Sequence, residues 1–366
     1  DDQHGTAIIT SAALLNALLI SEKKIDEVYI VVNGAGASAI SCTKLYLALG
    51  AKKENIVMLD SNGVIRKDRE NLDTTKATFA TAKNINTLEE AMVGADVFLG
   101  LSKGNIVSKD MLKTMGNKPI VFALANPDPE ISYADAVDAR PDAIVATGRS
   151  DNPNQVNNVL GFPFIFRGAL DVRATKINEE MKLAAVYALA ELAKEAVPEN
   201  VNLAYNSKNI TFGKDYIIPK PVDNRLIYKV APAVAKAAIE SGVARYPITD
   251  WEAYENELIQ RLGLDNKLMK NITIRAKQKP QRVVFAEADH YKILKAAQQV
   301  KDEGIAIPIL LGDTEKIKTL INDNNLDLKD IAIIDIRQRN FGETRNHFGD
   351  LFFEKRKRRG FTLFEA

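Results

Sequence analysis

The sequence predicts an α/β protein: a Rossmann-type, doubly wound parallel sheet followed by a partial second α/β domain. Three observations carry this. Short β-branched runs alternate with helix-length stretches. A glycine-rich turn joins the first such run to a helix. After a polar interval, a fresh strand–helix alternation begins at Gln281.

Residues 5–20 are apolar on most sides and interspersed with small residues, which predicts a buried helix. The run 28–32 predicts a central strand, and the helix after it ends at Gly50. Runs at 56–60, 97–100, 120–124 and 143–146 predict four more strands, with helical stretches between them. Residues 176–196 and 229–242 predict two further helices. From 246 the pattern turns polar and charged. The reading is a nucleotide-binding domain over 1–245, a linker over 246–280 and a second α/β domain over 281–366, with strands near 283–285, 307–311 and 331–334. The basic stretch ending at Arg359 reads as a solvated helix face.

The 49 Lys+Arg and 48 Asp+Glu nearly cancel, so nothing draws the chain toward nucleic acid or anionic lipid. The single cysteine, Cys42, allows no internal disulfide and fits a reducing, cytoplasmic setting. No apolar run is read as reaching transmembrane length, and the opening residues do not form a signal peptide. The chain opens on a polar motif without Met, so the expectation is a fragment whose active site is completed by upstream residues.

Gly34, Ala35, Gly36, Ala37, Ser38 and Ala39 fit Gly-x-Gly-x-x-Ala between a strand and a helix. Gly34 permits the tight turn, Gly36 lets a pyrophosphate approach the backbone, and Ala39 allows close helix–strand packing. The helix start then offers unpaired N–H groups to phosphates. Asp60 closes the second strand, near the usual place of an acid that bonds the adenine ribose. Arg66, Lys67, Arg69 and Lys76 follow. Each is either a partner for a 2′-phosphate or a surface charge.

Asp1 and Asp2 precede the first helix, as caps or as oxygen ligands for Mg²⁺ or Mn²⁺. Asn126 follows a strand at its carboxyl end, and Asn157 and Asn158 precede a helix. Side-chain amides suit the carboxylate and hydroxyl of a hydroxy acid, and they also serve as ordinary turn and cap residues.

Taken together, five segments in uninterrupted order resemble the bacterial malic enzymes, in particular the long hybrid type. They are residues 1–7, 33–37, 123–127, 155–163 and 212–221. The resemblance implies that Asp2 is a carboxylate ligand of the divalent metal and that Asp1 hydrogen-bonds near the catalytic lysine. It implies that Asn126 and Asn158 hold malate, that Asn157 falls beside the nicotinamide, and that Lys76 recognises the 2′-phosphate. NADP is the implied coenzyme, with NAD the alternative. Residues 282–288 and 304–312 resemble the start of a phosphotransacetylase domain, which implies an acetyl-CoA effector site that stops short at Ala366. The family's tyrosine acid, lysine base and other two metal acids are expected before Asp1, so this stretch alone is expected not to turn over. A homo-oligomer is implied by likeness only.

The implied chemistry oxidises malate at C2, with hydride passing to the nicotinamide. Oxaloacetate then loses CO₂ and is protonated to pyruvate. The rival readings are another hydroxy- or amino-acid dehydrogenase of the same fold, or a nucleotide-binding regulatory or assembly module without turnover.

Overall fold

The computed structural model describes residues 2–205, 210–262, 272, 275–302, 304–323, 326, 328, 330–338 and 342–365. It divides into two compact units, Asp1–Leu262 and Gly263–Ala366.

The first unit is built on a six-stranded sheet. Its strands are β1 (Ile30–Asn33), β2 (Ile56–Asp60), β3 (Gly63–Val64), β4 (Val97–Gly100), β5 (Ile120–Ala123) and β6 (Ile144–Thr147), in the order β3-β2-β1-β4-β5-β6. All neighbours are parallel except the two-residue β3, which turns back on β2. Successive residues of each strand feed opposite faces. Ile30, Val32, Leu99 and Phe122 enter one core, while Val31, Phe98 and Val121 enter the other. Both faces are covered, so the strands read as continuous apolar runs. Burying a side chain such as Phe98 contributes about 1.5–3 kcal/mol.

One face is covered by α1 (His4–Ser21), α2 (Ala37–Ala48), α7 (Phe162–Asp171), α8 (Glu179–Lys194) and α10 (Arg225–Glu240). The other carries α4 (Leu88–Met92), α5 (Lys109–Lys113) and α6 (Tyr133–Ala139). Two short helices, α3 (Thr74–Ala77) and α9 (Glu199–Ala204), also lie in this unit. Helix α1 corrects one expectation: by length and composition it is apolar enough to cross a membrane. Most of it is buried against α2 and α8, as in a core helix. Its buried Asn16 donates to the carbonyls of Ala190 and Ile217, both at 2.9 Å, which ties α1 to the chain on either side of α9. Within the stretch 246–280, Trp251–Arg261 forms helix α11. Its Tyr254 hydroxyl donates to Asp171 at 2.7 Å.

The second unit holds a parallel three-stranded sheet, β7 (Gln281–Phe285), β8 (Ala306–Leu311) and β9 (Ala332–Ile334), in that order. Helices α12 (Tyr291–Asp302) and α13 (Thr314–Asp323) alternate with the strands, as the sequence predicts. Helix α14 (Gly342–Arg356) and the basic turn after it leave their charged side chains exposed.

Candidate active site

The strand register fixes where a ligand can sit. Asn33, Gly100, Ala123 and Thr147 pair across β1, β4, β5 and β6, so four strands end on one row. The chain leaves that row in four loops. The strand order reverses between β1 and β4, the place where open α/β sheets leave a crevice.

Gly34 starts the first loop at φ +131°, and a Cβ there would lie 2.7 Å from the Leu101 carbonyl oxygen. Only glycine suits both the backbone angle and the close approach. Gly36 is exposed, and a Cβ on it would meet nothing within 4 Å. Helices α4, α6 and α8 begin on side-chain caps from Thr87, Ser132 and Asn178, whereas α2 begins at Gly36 with none. The first N–H groups of α2 are therefore left for an anion. Ala39 is buried, as close helix–sheet packing requires.

At the end of β2, Asp60 accepts from Arg69 at 3.0 and 3.2 Å and from Lys76 at 3.0 Å. Burial pushes the Asp60 carboxyl upward. The bonds from Arg69, Lys76 and the Asn62 amide outweigh that and hold it down at about 2. Arg66 takes another course, pairing with Asp68 and bonding Asn84 and Asn86. The end of β2 thus carries one acid under two cations.

The polar residues before α1 do not cap it through their side chains: the cap position is Gln3, without a side-chain bond. Asp2 instead reaches the glycine loop and the asparagine turn. Its carbonyl accepts from Ser38 Oγ at 2.5 Å, and its Oδ1 accepts from Asn158 Nδ2 at 3.4 Å. Thr6 Oγ1 donates to Asn158 Oδ1 at 3.1 Å. Asp2, Ser38 and Asn158 are therefore one cluster. Asn157 is exposed, and its Oδ1 caps the following turn by accepting from Val159 N at 3.1 Å. Asn126 sits at the β5 end of the same row with its side chain exposed. Asp1 lies outside the described residues.

Among the described residues no three His, Cys, Asp or Glu side chains gather as a metal site. Asp2 forms no salt bridge among them, so its carboxylate is one free oxygen donor beside an amide. That donor suits one position of a hard-cation shell and does not complete it.

Two residues central to this geometry carry no signal in the sequence. Glu130 is fully buried, and its carboxylate accepts from Ser102 N at 3.2 Å and Ala125 N at 3.1 Å. Asn154, also buried, donates to the carbonyls of Val145 and Lys214 and accepts from Ile217 N. It pins the chain around residue 215 against β6. A cavity of about 530 Å³ lies beyond that edge, lined by residues that include Asn152, Tyr205, Tyr216 and Lys220. None of the candidate site residues lines it, but the segment 212–221 that carries part of the family resemblance does.

The family model of the malic enzyme NAD-binding domain matches residues 3–211, more than half of the chain. That of phosphate acetyl/butaryl transferase matches 267–366. The NADP-dependent malic enzyme of Salmonella typhimurium is 50% identical over 100% of this chain and 48% of its own length. An NAD-dependent malic enzyme of Rhizobium meliloti is 49% identical over 90% of this chain and 43% of that protein. The crystal structure of Entamoeba histolytica malic enzyme matches with a TM-score of 0.63 and 34% identity, over 88% of this chain and 60% of that one. The chain spans about half the length of the curated relatives it matches. A glycine loop, an asparagine turn and an acid meet at one sheet edge, the family model runs through the first two, and the chain belongs to the malic enzyme family.

Proposed function

We propose that the chain binds NADP along the Gly34–Ser38 loop and serves the divalent-metal-dependent oxidative decarboxylation of (S)-malate to pyruvate and CO₂. The observation that carries the reading is the Ser38–Asp2–Asn158 cluster. Asp2 joins the two sides: its backbone carbonyl accepts from Ser38 of the phosphate loop, and its carboxylate accepts from the substrate-type amide of Asn158.

In this reading the uncapped start of α2 takes the pyrophosphate. Lys76 and Arg69 can turn from Asp60 to a 2′-phosphate, which favours NADP. With NAD, Asp60 itself is free to accept from the ribose hydroxyls. Asn126 and Asn158 hold malate through their amides, and Asn157 flanks the nicotinamide. Asp2 holds Mg²⁺ or Mn²⁺ together with donors beyond the described residues, and Asp1 stands beside the proton-transfer machinery. A divalent cation held by Asp2 would supply Lewis-acid chemistry there, favouring loss of the malate hydroxyl proton and the negative charge that builds up as CO₂ leaves. The chain's own amides orient the substrate so that its C2 hydrogen faces the nicotinamide.

The domain reading has a nucleotide-binding domain over 1–245, a linker over 246–280 and a phosphotransacetylase-like domain over 281–366. An acetyl-CoA effector site in the last of these, a homo-oligomer and a cytoplasmic location belong to the same proposal. The test is Asp2→Ala in the full-length enzyme. Malate turnover should be lost, along with Mn²⁺ affinity. Unchanged turnover would refute the assignment and favour a metal-independent hydroxy-acid dehydrogenase.

A further inference from the structure

Glu130 is completely buried, and no cation pairs with it among the described residues. Its two carboxylate oxygens divide their work. Oε1 accepts from the amide of Ser102, in the loop after β4, and Oε2 accepts from the amide of Ala125, in the loop after β5. Each partner lies one bond from the site. Ser102 Oγ accepts from Asn33 Nδ2 at 2.8 Å, and Leu101 N donates to the Asn33 carbonyl at 2.9 Å, just before Gly34. Ala125 is the residue before Asn126. The Glu130 carbonyl in turn accepts from Ile106 and Val107, both at 3.0 Å, so its own backbone is fixed. Gly100 makes room for the carboxylate, since a Cβ there would fall within 2.6 Å of both its oxygens.

A buried carboxylate is costly unless its lone pairs are satisfied. This one is satisfied by the backbone amides of two loops, so the loops are held at a set distance for as long as it stays. Burial pushes its pKa up, and the amides of Ala125 and Ser102 act in the opposite sense.

We infer that Glu130 is a positioning residue that clamps the coenzyme loop and the Asn126 amide together, and so sets the distance between dinucleotide and substrate. The inference rests on the malate reading given above. A misplacement of about 1 Å at a reacting centre costs about 10²-fold in rate, so the clamp has a kinetic signature.

The experiment combines amide hydrogen exchange on the chain with steady-state kinetics of the full-length enzyme. Glu130→Ala should speed exchange at Ser102 and Ala125 at least about tenfold and lower kcat/KM for malate about 10²-fold. Glu130→Gln keeps one acceptor and should fall between Ala and wild type. Gly100→Ala leaves Glu130 in place but displaces its carboxylate, which guards against a Glu130→Ala variant that does not fold. It should reproduce the kinetic defect. In the double variant the added methyl no longer meets a carboxylate, so Glu130→Ala/Gly100→Ala should be no worse than Glu130→Ala alone. Kinetic constants within twofold of wild type in Glu130→Ala, alongside an impaired Asn126→Ala, would overturn the clamp and leave the malate reading standing. An unimpaired Asn126→Ala would overturn both.

Discussion

Asn158 Nδ2 lies 3.4 Å from Asp2 Oδ1, across 156 residues of sequence, while Thr6 donates to the other end of the same amide. The amide is thereby oriented, with its oxygen toward α1 and its nitrogen toward the free acid. Asp2 takes one N–H of that amide, and the second is the donor that the malate proposal assigns to the substrate. Asn158→Ala in the full-length enzyme should lower kcat/KM for malate about 10–100-fold, the loss of one hydrogen bond to a charged group. NADP affinity should change little. Steady-state kinetics with each ligand varied checks this.

The two loop glycines should fail differently. Gly34→Ala forces a side chain into a positive-φ position against the Leu101 carbonyl and should destabilise the fold by about 1–3 kcal/mol. Gly36→Ala meets open space, so its melting temperature should stay within a degree or two of wild type. Its added methyl stands where the pyrophosphate approaches, and NADPH affinity should drop about tenfold or more. Thermal unfolding and fluorescence titration of both variants separate the two effects.

Asp60 offers a test of coenzyme choice and of pH. Lys76→Ala should raise KM for NADP much more than for NAD, since only NADP brings a phosphate to that cation. The pH sign follows from the depressed pKa. The ionised Asp60 stabilises the folded state above its unfolded value near 3.9, and that contribution is lost as pH falls toward the folded value of about 2. Its size is about 2 kcal/mol. Asp60→Asn should flatten urea-derived stability between about pH 4 and 2 relative to wild type.

Asn154→Ala strands one buried carbonyl, one part-buried carbonyl and one buried amide. A loss of about 2–4 kcal/mol is expected, measurable by urea unfolding. Asn152→Ala removes one bond, to Thr147 Oγ1, and should cost about 1 kcal/mol.

Much of this site was legible because its parts have local causes. A strand buried on both faces must be apolar throughout, so β1, β2, β4, β5 and β6 stand out as β-branched runs. Gly34 is demanded by its own backbone angle. The two-residue β3 is too short to leave a pattern. Glu130 stayed hidden because the room for its carboxylate is made by Gly100, thirty positions away in sequence and adjacent only in the fold. The side chains of Arg69 and Lys76 read as 2′-phosphate partners or surface charges, and their pairing onto Asp60 needed the fold to bring Arg69 and α3, which carries Lys76, to the end of β2. Helix α1 shows the converse, since length and apolarity alone do not separate a core helix from a membrane span.

The most direct test of the account is a titration of the unmodified chain with NADPH, followed by nicotinamide fluorescence. A saturable signal that NADP displaces is expected. A flat response up to millimolar coenzyme, from protein shown to be folded by its cooperative melt, would contradict it.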